Sequence, residues 1–131
     1  TILLPRSSLA GPALELAVDA GATVLYASPY HYNLLAHDES DVSLTSVRLA
    51  ISTGEGLRRK VAERFEARFG FGLVQALGII EVGLPVLNCA GSGGDPESLG
   101  CPLPDYEIRL IADDGSQVTG PTAPERSPWG S

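Results

Sequence analysis

Two short stretches hold residue types that chemistry could use. One is Thr53-Gly54-Glu55-Gly56, a glycine turn with a single carboxylate; the other is Gly78-Ile79-Ile80-Glu81, where a glycine and a carboxylate bracket two aliphatic side chains. Glycine permits sharp turns and close approach of the backbone to a bound group, so both stretches suit the rim of a ligand site. Other chemistry-bearing residues are arranged less usefully. Ser28, His31 and Asp41 could be assembled on paper into a hydrolytic triad, but no Gly-X-Ser-X-Gly elbow exposes a serine. Gly91-Ser92-Gly93-Gly94 has the look of a phosphate loop, yet no Gly-Lys-Ser/Thr follows it, and it reads as a loop. His31 and His37 are six positions apart and match no standard metal spacing. Cys89 and Cys101 lack a Cys-X-X-Cys motif, and two thiols cannot complete a structural zinc site; the reading favours reduced thiols in a cytoplasmic protein over a disulfide.

The elements around these stretches decide where they lie. Val47, Leu49 and Ile51 alternate as in a half-buried strand, which Thr53 to Gly56 interrupts. A helix follows, with Leu57, Val61, Ala62, Phe65 and Phe69 on one face and Arg58, Arg59, Lys60, Glu63, Arg64, Glu66 and Arg68 on the others, stopped by Gly70. Leu73 to Leu77 supplies a buried strand. Strand, glycine turn, helix, strand is the unit of an open α/β sheet, whose ligands collect at the carboxyl ends of the strands. Both glycine stretches would lie at that edge.

Upstream, Thr1 to Leu4 reads as a short buried strand, followed by a helix through Leu9, Leu14, Leu16 and Val18 that Ser7 or Ser8 would cap. Ala22 to Tyr26 is the next strand, and Tyr30 to Ala36 a short helix with Ser28 as cap and Pro29 at its first position. Tyr26, Tyr30 and Tyr32 cluster near Pro29, which suggests packing. Beyond Glu81 the chain is rich in glycine and proline; Val86-Leu87 reads as one brief strand. Tyr106 to Ile111 alternates and turns at Asp113-Asp114-Gly115 into Gln117-Val118, which predicts a β-hairpin. The fold class is therefore α/β, a mainly parallel sheet flanked by helices with a C-terminal β-hairpin, over residues 1–118, and 119–131 reads as an irregular tail.

Bulk properties narrow the function classes. With 131 residues, 44% hydrophobic and 19% charged, the chain can fill one core. A formal charge of −7, with Lys60 as the lone lysine, argues against nucleic acid as a partner, because phosphate contacts need clustered cations. No apolar run approaches the ~20 residues of a membrane span, so a soluble protein is expected. The chain starts directly at Thr1-Ile2-Leu3-Leu4 and contains no Met, which suggests a piece of a longer polypeptide.

Three motifs, in order, carry a resemblance: Ser52-Thr53-Gly54-Glu55-Gly56-Leu57, then Gln75-Ala76-Leu77-Gly78-Ile79-Ile80-Glu81, then Gly91-Ser92 onward to Ser98-Leu99-Gly100-Cys101-Pro102-Leu103-Pro104-Asp105-Tyr106-Glu107-Ile108. Together they resemble the AMP-forming adenylating enzymes: acyl- and aryl-CoA synthetases, firefly luciferase and the adenylation domains of peptide synthetases. The resemblance implies a partial domain of an adenylate-forming ligase, which joins a small-molecule carboxylate to AMP using ATP and Mg2+. The acyl group then passes to CoA or to the phosphopantetheine of a carrier protein. It also implies that Gly54, Glu55 and Gly56 lie against adenine, that Gln75, Ala76, Leu77, Gly78 and Ile80 line the nucleotide and acyl pockets, and that Glu81 serves the metal. Tyr30, His31 and Tyr32 would neighbour the acyl pocket. Leu77 stands where the family has an aromatic residue and Ile80 where it has threonine. The family's phosphate loop, ribose-binding Asp, hinge and catalytic Lys are absent from these residues, so the remainder of the same enzyme is an implied partner and the fragment alone should not complete the reaction. The rival reading is a non-catalytic binding or interaction module that keeps the fold without the chemistry.

Overall fold

Among the described residues, three helices and five strands form in the order α1 (Ala10–Asp19), β1 (Val24–Ala27), α2 (Pro29–His37), β2 (Leu49–Ser52), α3 (Arg59–Phe69), β3 (Val74–Ile79), β4 (Gly83–Leu87) and β5 (Cys101–Pro102). They belong to a computed structural model that describes residues 1–88 and 94–118. The strands make one sheet in sequence order, β1-β2-β3-β4-β5. Its first half is parallel, with Val24 to Ala27 of β1 in register with Leu49 to Ser52 of β2, and Ile51-Ser52 with Val74-Gln75 of β3. The second half is antiparallel, β3 to β4 and β4 to β5. Each parallel pairing is bridged by a helix, as parallel strands require a long crossover.

One core lies on the face of the sheet that carries Leu25, Ala27 and Ala50, and it takes Leu14 and Ala17 from α1, Tyr32 and Ala36 from α2, and Ala62 and Phe65 from α3. Phe65, fully buried, meets Tyr32 edge-on at 5.1 Å, Phe71 edge-on at 5.4 Å and Phe69 at 4.8 Å between ring centres. Truncating such a residue to alanine costs about 3–5 kcal/mol. The Tyr32 hydroxyl donates to the Ile51 carbonyl at 3.0 Å, and burial pushes its pKa up. These contacts place α2 and α3 against β2, and so place the loops at its carboxyl end.

The helix limits follow local chemistry. Pro29 opens α2 at a position where its missing N–H is not needed. Gly70 closes α3 in the left-handed region at φ 80°, with its N–H on the Glu66 carbonyl. α3 starts at Arg59, so the turn before it extends through Leu57 and Arg58. The serine caps do not form as expected. α1 begins after Leu9 with no side-chain cap, and Ser28 bonds His31 instead of a backbone N–H.

Two strand expectations are corrected. Thr1 to Leu4 is not a strand: Ile2 and Leu4 are 89% and 81% exposed, and no strand lies along the outer edge of β1 among the described residues. A strand exists only through its partner, and apolar composition cannot replace one. Tyr106 to Leu110 is also not a strand, because Ile108 and Leu110 face solvent and the alternation has no core to face. The predicted hairpin is present as its tip. Ile111 bridges Gln117, Ala112 N–H reaches the Ser116 carbonyl at 2.9 Å, and Val118 N–H reaches the Leu110 carbonyl at 2.8 Å. Elsewhere strands are longer than expected: β3 continues through Gly78 to Ile79, and β4 takes in Gly83, Leu84 and Pro85. The 119–131 tail, Cys89 and most of the Gly91 to Gly94 loop lie outside the described residues; Cys101 is exposed.

Candidate functional site

The carboxyl ends of β1, β2 and β3 meet at Gly78. A Cβ built on Gly78 would stand 2.8 Å from Thr53 Oγ1, 3.5 Å from Leu84 Cδ2 and 3.7 Å from the Tyr26 hydroxyl. Close approach thus favours glycine here, and Thr53, which opens the turn, is brought against the end of β3. Gly54 takes a left-handed φ of 94°, which frees the turn to reverse direction. Gly54, Glu55 and Gly56 are all exposed, as are Gly78, Ile80 and Glu81. Ile80 sits at the β3–β4 turn wholly in solvent.

The remaining predicted positions differ in kind. Leu77 is half-buried and paired with Val86, while Ala76 is 4% exposed and paired with Leu87. Gln75 is 2% exposed, and its side chain is committed inside the protein. Its Oε1 accepts the Leu57 N–H, and its Nε2 donates to the Glu97 and Ser98 carbonyls at 3.3 Å each. The structure brings Thr53 of the turn to Gly78, leaves Ile80 and Glu81 exposed beyond it, and buries Gln75 and Ala76.

The neighbourhood of β1 adds residues. Tyr26, the second-last residue of β1, is 59% exposed on the face opposite the core and reaches Gly78. It looked like packing in the sequence; its alternation with half-buried Leu25 and Ala27, one step from the strand end, was the available signal. Ser28 Oγ and His31 Nδ1 lie 2.9 Å apart, which orients the ring and leaves Nε2 for another partner. Tyr30 stands edge-on to His31 at 5.5 Å. Tyr32 is buried in the core, its hydroxyl on the Ile51 carbonyl. An apolar hollow of about 1030 Å³ abuts the site at Tyr26, Ser28 and His31, and runs away from it between residues 1–10, α1 and β1.

Electrostatics at the site are sparse. Among the described residues no three His, Cys, Asp or Glu side chains converge as a metal cluster, and Glu81 stands as a single exposed carboxylate. A lone carboxylate suits a magnesium ion that keeps water and takes its other ligands from substrate phosphates, and does not suit a protein-only cage. On α3, Arg59 pairs with Asp95 at 2.8 Å, and Arg64 donates to the side-chain amide oxygen of Asn33 at 3.1 Å. No helix among the described residues is long and apolar enough to cross a membrane.

A glycine turn and a glycine strand end at the carboxyl edge of the sheet lie where open α/β sheets place their ligands. Comparison with known proteins gives the family: the AMP-binding enzyme model matches residues 1–124, and the chain belongs to that family. It is 36% identical over 110 residues to a p-hydroxybenzoic acid–AMP ligase of Mycobacterium marinum, covering 83% of this chain and 16% of that protein. It is 35% identical over 105 residues to an anthranilate–CoA ligase of Pseudomonas aeruginosa, covering 80% and 20%. Among solved structures, an anthranilate CoA ligase in complex with anthranoyl-AMP superposes with a TM-score of 0.78 at 25% identity over 89% of this chain and 23% of that one. A benzoate CoA ligase from Burkholderia xenovorans gives 0.74 at 27% identity, over 85% and 23%. The chain thus spans about a fifth of the length of the relatives it matches and corresponds to part of their N-terminal region.

Proposed function

We propose that this chain forms part of the nucleotide and acyl wall of an ATP-dependent, AMP-forming ligase that activates an aromatic carboxylic acid. The carrying observation is the approach of Thr53, which opens the glycine turn, and of Tyr26 to Gly78 at the carboxyl edge of the sheet, the edge at which open α/β sheets take their ligands. Gly54, Glu55, Gly56, Leu77 and Gly78 face the adenine, and Ile80 borders the phosphates without a hydrogen bond. Tyr26, Tyr30 and His31 border the acid. The choice of an aromatic acid is supported by relatives named for p-hydroxybenzoic acid, benzoate and anthranilate, and by Tyr26, whose hydroxyl lies beside Gly78.

The reaction is attack of a carboxylate oxygen on the α-phosphorus of ATP, which breaks the bond to pyrophosphate and forms an acyl-AMP. A thiol, of CoA or of a carrier-protein phosphopantetheine, then takes the acyl group and releases AMP. Magnesium, when bound, neutralises phosphate charge, and Glu81 is the residue that would hold it. The cation that stabilises the transition state comes from the rest of the enzyme.

Titration calorimetry with ATP and magnesium tests this. The expected result is binding that weakens about tenfold or more in Glu81→Ala in the presence of magnesium and is unaltered for AMP without it. Equal ATP affinity in the two proteins would remove Glu81 from the assignment. Absence of nucleotide binding would favour the second reading, a binding module without chemistry, for which the aliphatic, fully exposed Ile80 and non-aromatic Leu77 are the supporting observations.

A further inference from the structure

We infer that Gln75 is a positioning residue for the glycine turn, and that Glu97 completes the attachment from the loop behind it. The inference rests on the reading of that turn as a nucleotide wall. The ladder between β2 and β3 ends at Ser52 and Gln75. Beyond that pair β2 leaves the sheet as the turn, whereas β3 continues to Ile79 beside β4. The two segments that face the proposed ligand therefore run on with no backbone ladder between them. At its start the turn is held by Thr53 N–H on the Ala27 carbonyl at 3.1 Å. At its end, among the described residues, Leu57 N–H on Gln75 Oε1 is the hydrogen bond that carries it onto β3.

The amide of Gln75 is then used a second time. Its Nε2 sits between the Glu97 and Ser98 carbonyls, so one buried side chain joins the turn, the strand and the loop at 95–98. Glu97 closes the circuit. Its Oε1 accepts the N–H of Arg59, the first residue of α3, where the N-cap Arg58 offers no side-chain bond. The loop is braced by Asp95, which pairs with Arg59 Nη2 at 2.8 Å and accepts the Glu97 N–H at 3.0 Å, and by Asn88 Nδ2 on the Asp95 carbonyl at 2.8 Å. A buried primary amide is costly unless its hydrogen bonds are made, and an apolar side chain would fill the same space more cheaply. What the amide adds is geometry. It fixes the distance between the turn bearing Gly54 and the strand bearing Gly78, three residues on from Leu57 and Gln75 in opposite senses.

Site-resolved amide exchange and ATP titration, on the same samples, test this. Gln75→Leu is expected to speed exchange at Leu57 by about tenfold or more while amides of β1 and β2 change by a smaller common factor, and to weaken ATP binding about tenfold. Glu97→Gln keeps an oxygen acceptor and should retain native protection at Arg59 and native ATP affinity; Glu97→Ala should lose both. Uniform acceleration across the sheet in Gln75→Leu would make Gln75 an ordinary core residue and overturn the inference. So would a faster Leu57 with unchanged ATP affinity. If Gln75→Leu does not fold, the Glu97 pair decides: identical behaviour of Glu97→Gln and Glu97→Ala overturns the inference. Failure of the wild-type protein to bind ATP would instead remove the nucleotide reading, with the exchange pattern still deciding whether the turn is held by Gln75.

Discussion

Replacing Gly78 by alanine isolates the contact that assembles the site. Gly78 has an ordinary backbone conformation, so alanine meets no dihedral strain, and the conflict is purely one of space. The new methyl would lie 2.8 Å from Thr53 Oγ1, closer than such atoms tolerate, whereas Leu84 Cδ2 at 3.5 Å and the Tyr26 hydroxyl at 3.7 Å are in normal contact. Overpacking of this kind costs about 1–3 kcal/mol. Alanine in place of glycine recovers about 0.5–1 kcal/mol of chain entropy. The net expectation is a loss of about 0.5–2 kcal/mol, read as a lower urea midpoint at unchanged slope. In a Thr53→Ala background the offending oxygen is gone, and Gly78→Ala should become neutral or slightly stabilising. The coupling energy between the two sites should then be about 1–3 kcal/mol in the relieving direction. An equal penalty in both backgrounds would mean that Thr53 and Gly78 are not in contact, and the site as drawn would be wrong.

Gly100→Ala should be much worse, because its Cβ would lie 2.1 Å from the Leu87 carbonyl oxygen at a φ of 90°, a collision with backbone that no rotamer relieves; loss of the cooperative unfolding transition is the expected readout. Tyr32→Phe should cost about 1–2 kcal/mol in urea unfolding, since it removes the hydrogen bond to the Ile51 carbonyl without changing ring packing. Bonds from the Ser40 hydroxyl and N–H hold the Asp38 carboxyl below its ordinary value of 3.8, with a smaller contribution from Arg68. Its folded pKa is thus the lower one. Asp38 therefore contributes stability above the unfolded pKa that is lost as pH falls through the folded value, and Asp38→Asn should flatten stability against pH in that acid window. A carboxyl resonance of Asp38 titrating at 3.8 or above would contradict this.

The sequence by itself determined whatever depends on near neighbours. α3 was legible from its apolar face and the glycine after it, α2 from Pro29, and the order strand, turn, helix, strand from the change in period around Gly54. The three motifs also determined the family. Tertiary structure decided what depends on partners far away in the chain. Thr1 to Leu4 and Tyr106 to Leu110 have the composition of strands but, among the described residues, no strand or core to pair with. Among three similar tyrosines, Tyr32 went into the core on Phe65 and Tyr26 to the site edge, because the pleat of β1 and the packing of α2 on α3 point them apart. Gln75 reads as one more motif residue until its bonds to Leu57, 18 positions away, and to Glu97 and Ser98, 22 and 23 positions away, turn it into the bracket behind the site. Periodicity and capping are local properties of the chain, whereas a hydrogen bond across such separations exists only once the sheet has put its ends together.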